Sequence, residues 1–193
     1  MENTMTRLIG GVLALLLAAA PWAQGAEVAG VKVEETARVG EAELVLNGAG
    51  VRTRLFFKVY VAALYLPAKT ADARAAIAGP GPKRVWMHML RDLDSAVLAS
   101  ALKEGLQNNH SAAELEALEP RIRALTGLLT ADKEIKTGTV ILLDHLPGQG
   151  TRVSADGQVR GIVAGEDLYP ALLRVWLGDR PADPALKQAM LGG

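Results

Sequence analysis

One stretch of this 193-residue chain gathers groups able to hold an anion. Between Val51 and Leu66 lie two guanidinium groups, Arg52 and Arg54, a phenol at Tyr60, and apolar surface at Leu64 and Leu66. Side chains alternate across a strand. Read as one strand, the odd face (Leu55, Phe57, Val59, Val61, Ala63, Tyr65) is nearly all apolar, while the even face runs from Arg52, Arg54 and Lys58 through Tyr60 to Ala62, Leu64 and Leu66. Such a face is either a strand that starts in solvent and enters the core, or the wall of a cleft with a cation at its mouth. The second suits an amphipathic acid: an arginine fork pairs with a carboxylate through two parallel hydrogen bonds, Tyr60 adds a hydroxyl donor, and Leu64 lines the apolar part. Arg52, Tyr60 and Leu64 are therefore the candidate ligand-binding residues. Arg52 and Tyr60 lie roughly 26 Å apart along a straight strand, so one ligand meets both only if the chain folds back, and Gly50 to Arg54 is the candidate bend.

Other chemistries find less support. The chain has no cysteine, which excludes disulfides and thiolate nucleophiles or ligands. His88, His110 and His145 have no partners at metal-ligand spacing. Ser95, Ser100, Ser111 and Ser154 lack a nucleophile-elbow context. Twenty-one basic residues balance 21 acidic ones, which offers no electrostatic basis for nucleic acid, and no run of the sequence is polybasic. No metal or other cofactor is expected.

The elements that must position these groups follow an α+β order. Strands are expected at Val31–Glu35, Ala42–Leu46, Arg52–Leu66 and Lys83–Leu90, with Asn47-Gly48 as a hairpin-type turn after the second. Helices follow at Thr70–Ala78 with Thr70 as N-cap, at Asp94–Asn108, and from Ser111 to about Leu129. Ser111 and Glu114 form a capping box, and Pro120 is expected to bend or interrupt that last helix. Three short strands (Thr139–Leu143, Thr151–Ser154, Val159–Val163), the last two joined by an Asp156-Gly157 hairpin turn, and two helices (Glu166–Leu177, and Pro184–Leu191 with Asp183 as its cap) complete the chain. This order predicts a mostly antiparallel sheet with helices packed on one face.

Residues 1–25 read as a secretory signal: Arg7, an uncharged run from Leu8 to Ala20, then Ala23-Gln24-Gly25 as a small-residue cleavage site. The run is shorter than the roughly 20 residues a spanning helix needs. The expectation is a periplasmic domain, residues 26–193, without stable membrane insertion after cleavage.

The segments LNGAGVR (Leu46–Arg52), FKVYVAALYLP (Phe57–Pro67) and RVWLGDRPADPALK (Arg174–Lys187) resemble the chalcone isomerase-like family. The resemblance implies that family's open-faced sandwich of sheet and helices. It also implies one of two activities: ring closure of a chalcone-like enone, an intramolecular lyase reaction, or non-catalytic binding of a fatty acid. Arg52 matches the family's arginine. Tyr60 stands where the isomerases carry a threonine, while Leu93, Ser100 and Val175 fall at their tyrosine, asparagine and late threonine positions. Ring closure needs donors at the enolate oxygen, and these replacements remove them. Arg52 with Tyr60 is similar to the fatty-acid-binding branch, where such a pair holds the carboxylate. The expectation is a carrier of a small apolar acid without isomerase activity, with an isomerase or an envelope accessory protein that binds no small ligand as alternatives.

Overall fold

The computed structural model describes residues 26–193; the expected signal segment lies outside the described residues. The strands are β1 (Ala26–Val28), β2 (Val31–Val33), β3 (Thr36–Val39), β4 (Ala42–Arg54), β5 (Phe57–Leu66), β6 (Lys83–Met89), β7 (Leu93–Asp94), β8 (Glu134–Ile135), β9 (Val140–Leu146), β10 (Gly150–Ala155) and β11 (Gln158–Ala164). The helices are α1 (Ala73–Ala78), α2 (Ser95–Asn109), α3 (Ala112–Leu129), α4 (Leu168–Leu177) and α5 (Pro184–Met190). Seven strands form one antiparallel sheet in the order β11-β10-β9-β6-β5-β4-β3, and its β3 edge curls far enough to approach β6 and β9. Among the described residues no helix is long and apolar enough to cross a membrane.

Alternation sets the two faces. Tyr60, Ala62, Leu64 and Leu66 of β5 join Val85, Met87 and Met89 of β6 in a core shared with all five helices. Val61, Ala63 and Tyr65 face the other way and pack with Val33, Val39 and Leu44 from the N-terminal strands, where the Tyr65 hydroxyl donates to the Glu34 carbonyl at 2.9 Å. Helices therefore cover one face, as the element order predicts, and curled strands part of the other, the α+β open-faced sandwich that the family resemblance implies. Each large side chain buried on the helix side contributes about 1.5–3 kcal/mol.

Local signals read correctly in several places. Ser111 and Glu114 form the capping box at α3, Asp183 caps α5, and Asp156-Gly157 turns between β10 and β11 with positive φ at both residues. Three expectations need correction. The cap of α1 is Asp72, whose carboxylate accepts from the Arg74 and Ala75 amides, while Thr70 Oγ1 accepts from the Asp72 amide. Helix α3 runs unbroken through Pro120. The third correction, in β4 and β5, creates the site.

Candidate ligand-binding site

The segment Arg52–Leu66 is not one strand. It is the end of β4, a turn at Leu55-Phe56, and β5. Nothing local marks that turn: tight hairpins favour Asn, Asp and Gly, yet here Leu55 adopts φ 56° and Phe56 stands almost fully in solvent. Conversely, Asn47-Gly48 carries the turn signal but sits inside β4 as an irregularity in the pairing with β5. Tertiary contacts explain the inversion. The Asn47 side chain donates to the carbonyls of Thr70 and Met190 and accepts from the Thr70 amide. Gly48 gives way to α5: a Cβ there would lie 2.1 Å from the Ala189 carbonyl oxygen. Gly50 does the same, since its Cβ would sit 2.6 Å from that of Ala189. The segment from Leu46 to Arg52 is thus the seat of α5.

Because the chain doubles back, Arg52 and Tyr60 are direct cross-strand partners. The fold-back that a shared ligand requires lies at Leu55-Phe56, just beyond the expected bend. A register shift between Arg52 and Thr53 leaves Val59 as an extra residue on β5. Such bulges re-aim side chains, and here Phe57, Val59 and Tyr60 all turn toward the same cavity, although strict alternation would separate them.

That cavity has a volume of about 320 Å³, at the lower end of the roughly 300–1,000 Å³ typical of small-molecule sites. Sheet residues Tyr60, Met87 and Leu143 form its floor, α2 contributes Val97, Leu98, Ala101 and Leu102, and Val175 and Trp176 of α4 close one side. Arg52, Arg54 and Arg91 also line it, together with Glu104 and Asn108. The result is an apolar chamber with cations on its hairpin side.

The Arg52 side chain is 19% exposed, with Nη1 3.6 Å from Asp183 Oδ2, and Nη1 also donates to the Thr53 carbonyl. Both contacts use the same nitrogen. A guanidinium has five N–H donors, so Nη2 and Nε remain to form a bidentate pair with an incoming carboxylate. Asp183 is held from several sides: it accepts from the Thr53 amide at 3.0 Å and from Ala185 and Leu186 at the start of α5. Partial burial pushes its carboxyl up, but those backbone N–H groups and the Arg52 charge outweigh it and hold the group below the usual range. The Tyr60 hydroxyl accepts from Trp176 Nε1 at 3.1 Å. Burial pushes the phenol up, offset in part by the Trp176 hydrogen bond and Arg52, so Tyr60 stays protonated at neutral pH. Its own hydrogen has no acceptor among the described residues and is available to a ligand.

Of the three residues singled out, Arg52 and Tyr60 meet at the cavity. Leu64 does not line it; it is fully buried deeper in the helix-side core. Leu93 and Val175 line the cavity, whereas Ser100 is exposed and outside it. Trp86 stacks on His88, ring centroids 5.7 Å apart, away from the site. Of the other histidines, His145 binds Glu166 at 2.9 Å and His110 contacts the Leu106 carbonyl. Glu104 and Asn108 are not among the residues singled out from sequence, although with Val97 and Ala101 they continue one stripe of α2 at spacings of three and four residues. Gly105 lies on that stripe too, where a Cβ would meet Val175 at 2.5 Å; its absence lets α2 and α4 close together over the chamber.

Comparisons agree with this architecture. A fatty-acid binding protein of Arabidopsis thaliana has a similar structure, with a TM-score of 0.67 at 17% identity, over 84% of this chain and 92% of that one. No curated protein sequence matches significantly. The chalcone isomerase-like family matches residues 25–192, and the chain belongs to that family.

Proposed function

We propose that this protein binds a fatty acid or similar small apolar acid, after export to a periplasm, and does not catalyse ring closure. The observation that carries the reading is the pairing of Arg52 with Tyr60 across β4 and β5, on the wall of an apolar chamber. The carboxylate is held by Nη2 and Nε of Arg52 and by the Tyr60 hydroxyl, and the acyl chain lies against Met87, Leu98, Leu102 and Leu143. A charged hydrogen-bonded group of this kind contributes about 1.5–3 kcal/mol. Apolar contact supplies the rest, about 0.8 kcal/mol per buried methylene. The structural likeness to a fatty-acid binding protein supports the same reading. Against catalysis, Leu93 and Val175 present only hydrocarbon to the chamber, and neither can donate to a developing enolate.

Native mass spectrometry of the purified protein tests this. The expected result is a bound acyl ligand lost from Arg52→Ala. An empty protein with no affinity for laurate-sized acids, unchanged by that substitution, would refute the proposal.

A further inference from the structure

The β4–β5 hairpin ends in three consecutive apolar residues that face water. Leu55 is 82% exposed, Phe56 93% and Phe57 57%. Leu55 also holds a left-handed backbone conformation, uncommon for a bulky residue. Folding alone explains neither the exposure nor the choice of residues, because Asn-Gly would close the hairpin at lower cost.

Cations surround this tip. Arg54 and Lys58 flank the turn on its two strands, and Arg91 reaches over the Phe57 ring, its guanidinium carbon 4.7 Å from the centroid. Arg54, Lys58 and Arg91 are exposed, and among the described residues none of them has an ion-pair partner. The segment Val51–Tyr60 contains no carboxylate. A chain that is neutral overall thus carries a local positive patch, which linear sequence hides because Arg91 comes from beyond β6. Leu55, Phe57, Arg54, Arg91 and the half-exposed Val97 belong both to this patch and to the lining of the chamber.

We propose that the Leu55–Phe57 tip is a membrane-docking element, which inserts its apolar side chains into the interface of an anionic bilayer while Arg54, Lys58 and Arg91 bind the headgroups. Apolar side chains ringed by cations suit an anionic lipid surface, where each Lys or Arg contributes attraction that salt screens. A hairpin turn is too small to supply the roughly 800 Å² that each partner gives to a stable protein interface, whereas entry into a bilayer interface needs no complementary surface. Docking places the chamber's mouth against the lipid. The inference stands on the tip itself and holds whichever apolar molecule the chamber takes.

Vesicle flotation tests it, with phosphatidylcholine alone compared with phosphatidylcholine and phosphatidylglycerol in equal parts. The protein should float with the anionic vesicles, and high salt should release it. Arg54→Gln with Lys58→Gln should weaken binding roughly thirtyfold, from about 1 kcal/mol per cation. Phe56→Ser should weaken it about tenfold. The proteins compared begin at Ala26, where the described fold begins, so that residues 8–20 cannot carry any of them to a vesicle. Circular dichroism checks their folding, and Phe56→Trp gives an independent reading: its emission should shift to the blue with anionic vesicles, beyond any shift of the unsubstituted chain. Binding that ignores these substitutions, equal binding to neutral vesicles, or an unshifted Trp emission would overturn the inference. So would a dimer in sedimentation equilibrium that Phe56→Ser dissolves, since the tip would then be a self-association surface.

Discussion

The middle of β4 and the hairpin that follows it obey opposite rules. From Leu46 to Gly50 every feature serves packing: Asn47 satisfies three backbone groups, and Gly48 and Gly50 leave no room for a side chain beneath α5. From Arg52 to Phe57 local preferences are broken, with a leucine in a left-handed conformation, a phenylalanine in water and cations beside an apolar chamber. Agreement between local preference and global fold marks a region that specifies structure, and its violation marks a region kept for something else. Arg52 and Asp183 sit on the boundary, since their ion pair ties the seat of α5 to the mouth of the chamber.

Substitutions can break this contrast at either end. The largest effect is expected at Gly48→Val, where the new side chain meets the α5 backbone. It should lower stability by about 3 kcal/mol or more in chemical denaturation. Leu64→Ala should cost about 2–5 kcal/mol yet keep the preference for an acid headgroup, because Leu64 belongs to the core and not to the chamber. Asp183→Asn should act in opposite directions on the packing of α5 and on the chamber. It should lower stability by about 0.5–1 kcal/mol, because Asn caps a helix as well as Asp does but lacks the charge that faces Arg52 and the N-terminus of α5. It should raise affinity for an acid by removing the carboxylate that competes for the Arg52 guanidinium. The native carboxyl is held below its unfolded value, so its contribution is complete above the unfolded pKa and is lost as pH falls through the folded one. The stability gap between Asp183→Asn and the parent should therefore narrow in acid, as denaturation at pH 7 and pH 3 will show. The smallest effect is expected at Phe56→Ser, within about 0.5 kcal/mol in thermal melts, because that side chain packs against nothing.

Much of the architecture was legible because it rests on local chemistry: the α3 capping box, the Asp183 cap, the Asp156-Gly157 turn, and alternation in β5 and β6. The family resemblance brought out Arg52 and Tyr60 as well. What was not legible came from long-range contacts. Asn47-Gly48 signals a turn, but the Asn47 amide groups are drawn to Thr70 and Met190, far along the chain. Leu55-Phe56 signals a strand, but it is the turn. That pair of misreadings separated Arg52 from Tyr60 along a line when they are neighbours across a hairpin, and it hid the bulge that directs Val59 inward. Leu64 was assigned to the chamber from its face alone. The face is right, but depth along the strand puts it in the closed core.

The proposed site requires Arg52 to select a carboxylate at the entrance to an apolar chamber. Titration calorimetry with dodecanoate and with dodecanol, which share a tail and differ in headgroup, isolates that selection. Dodecanoate should bind at least about tenfold more tightly, and Arg52→Gln should abolish the difference while leaving dodecanol unaffected. Equal affinities for the acid and the alcohol in the parent protein, or a preference for the acid that survives Arg52→Gln, would contradict it.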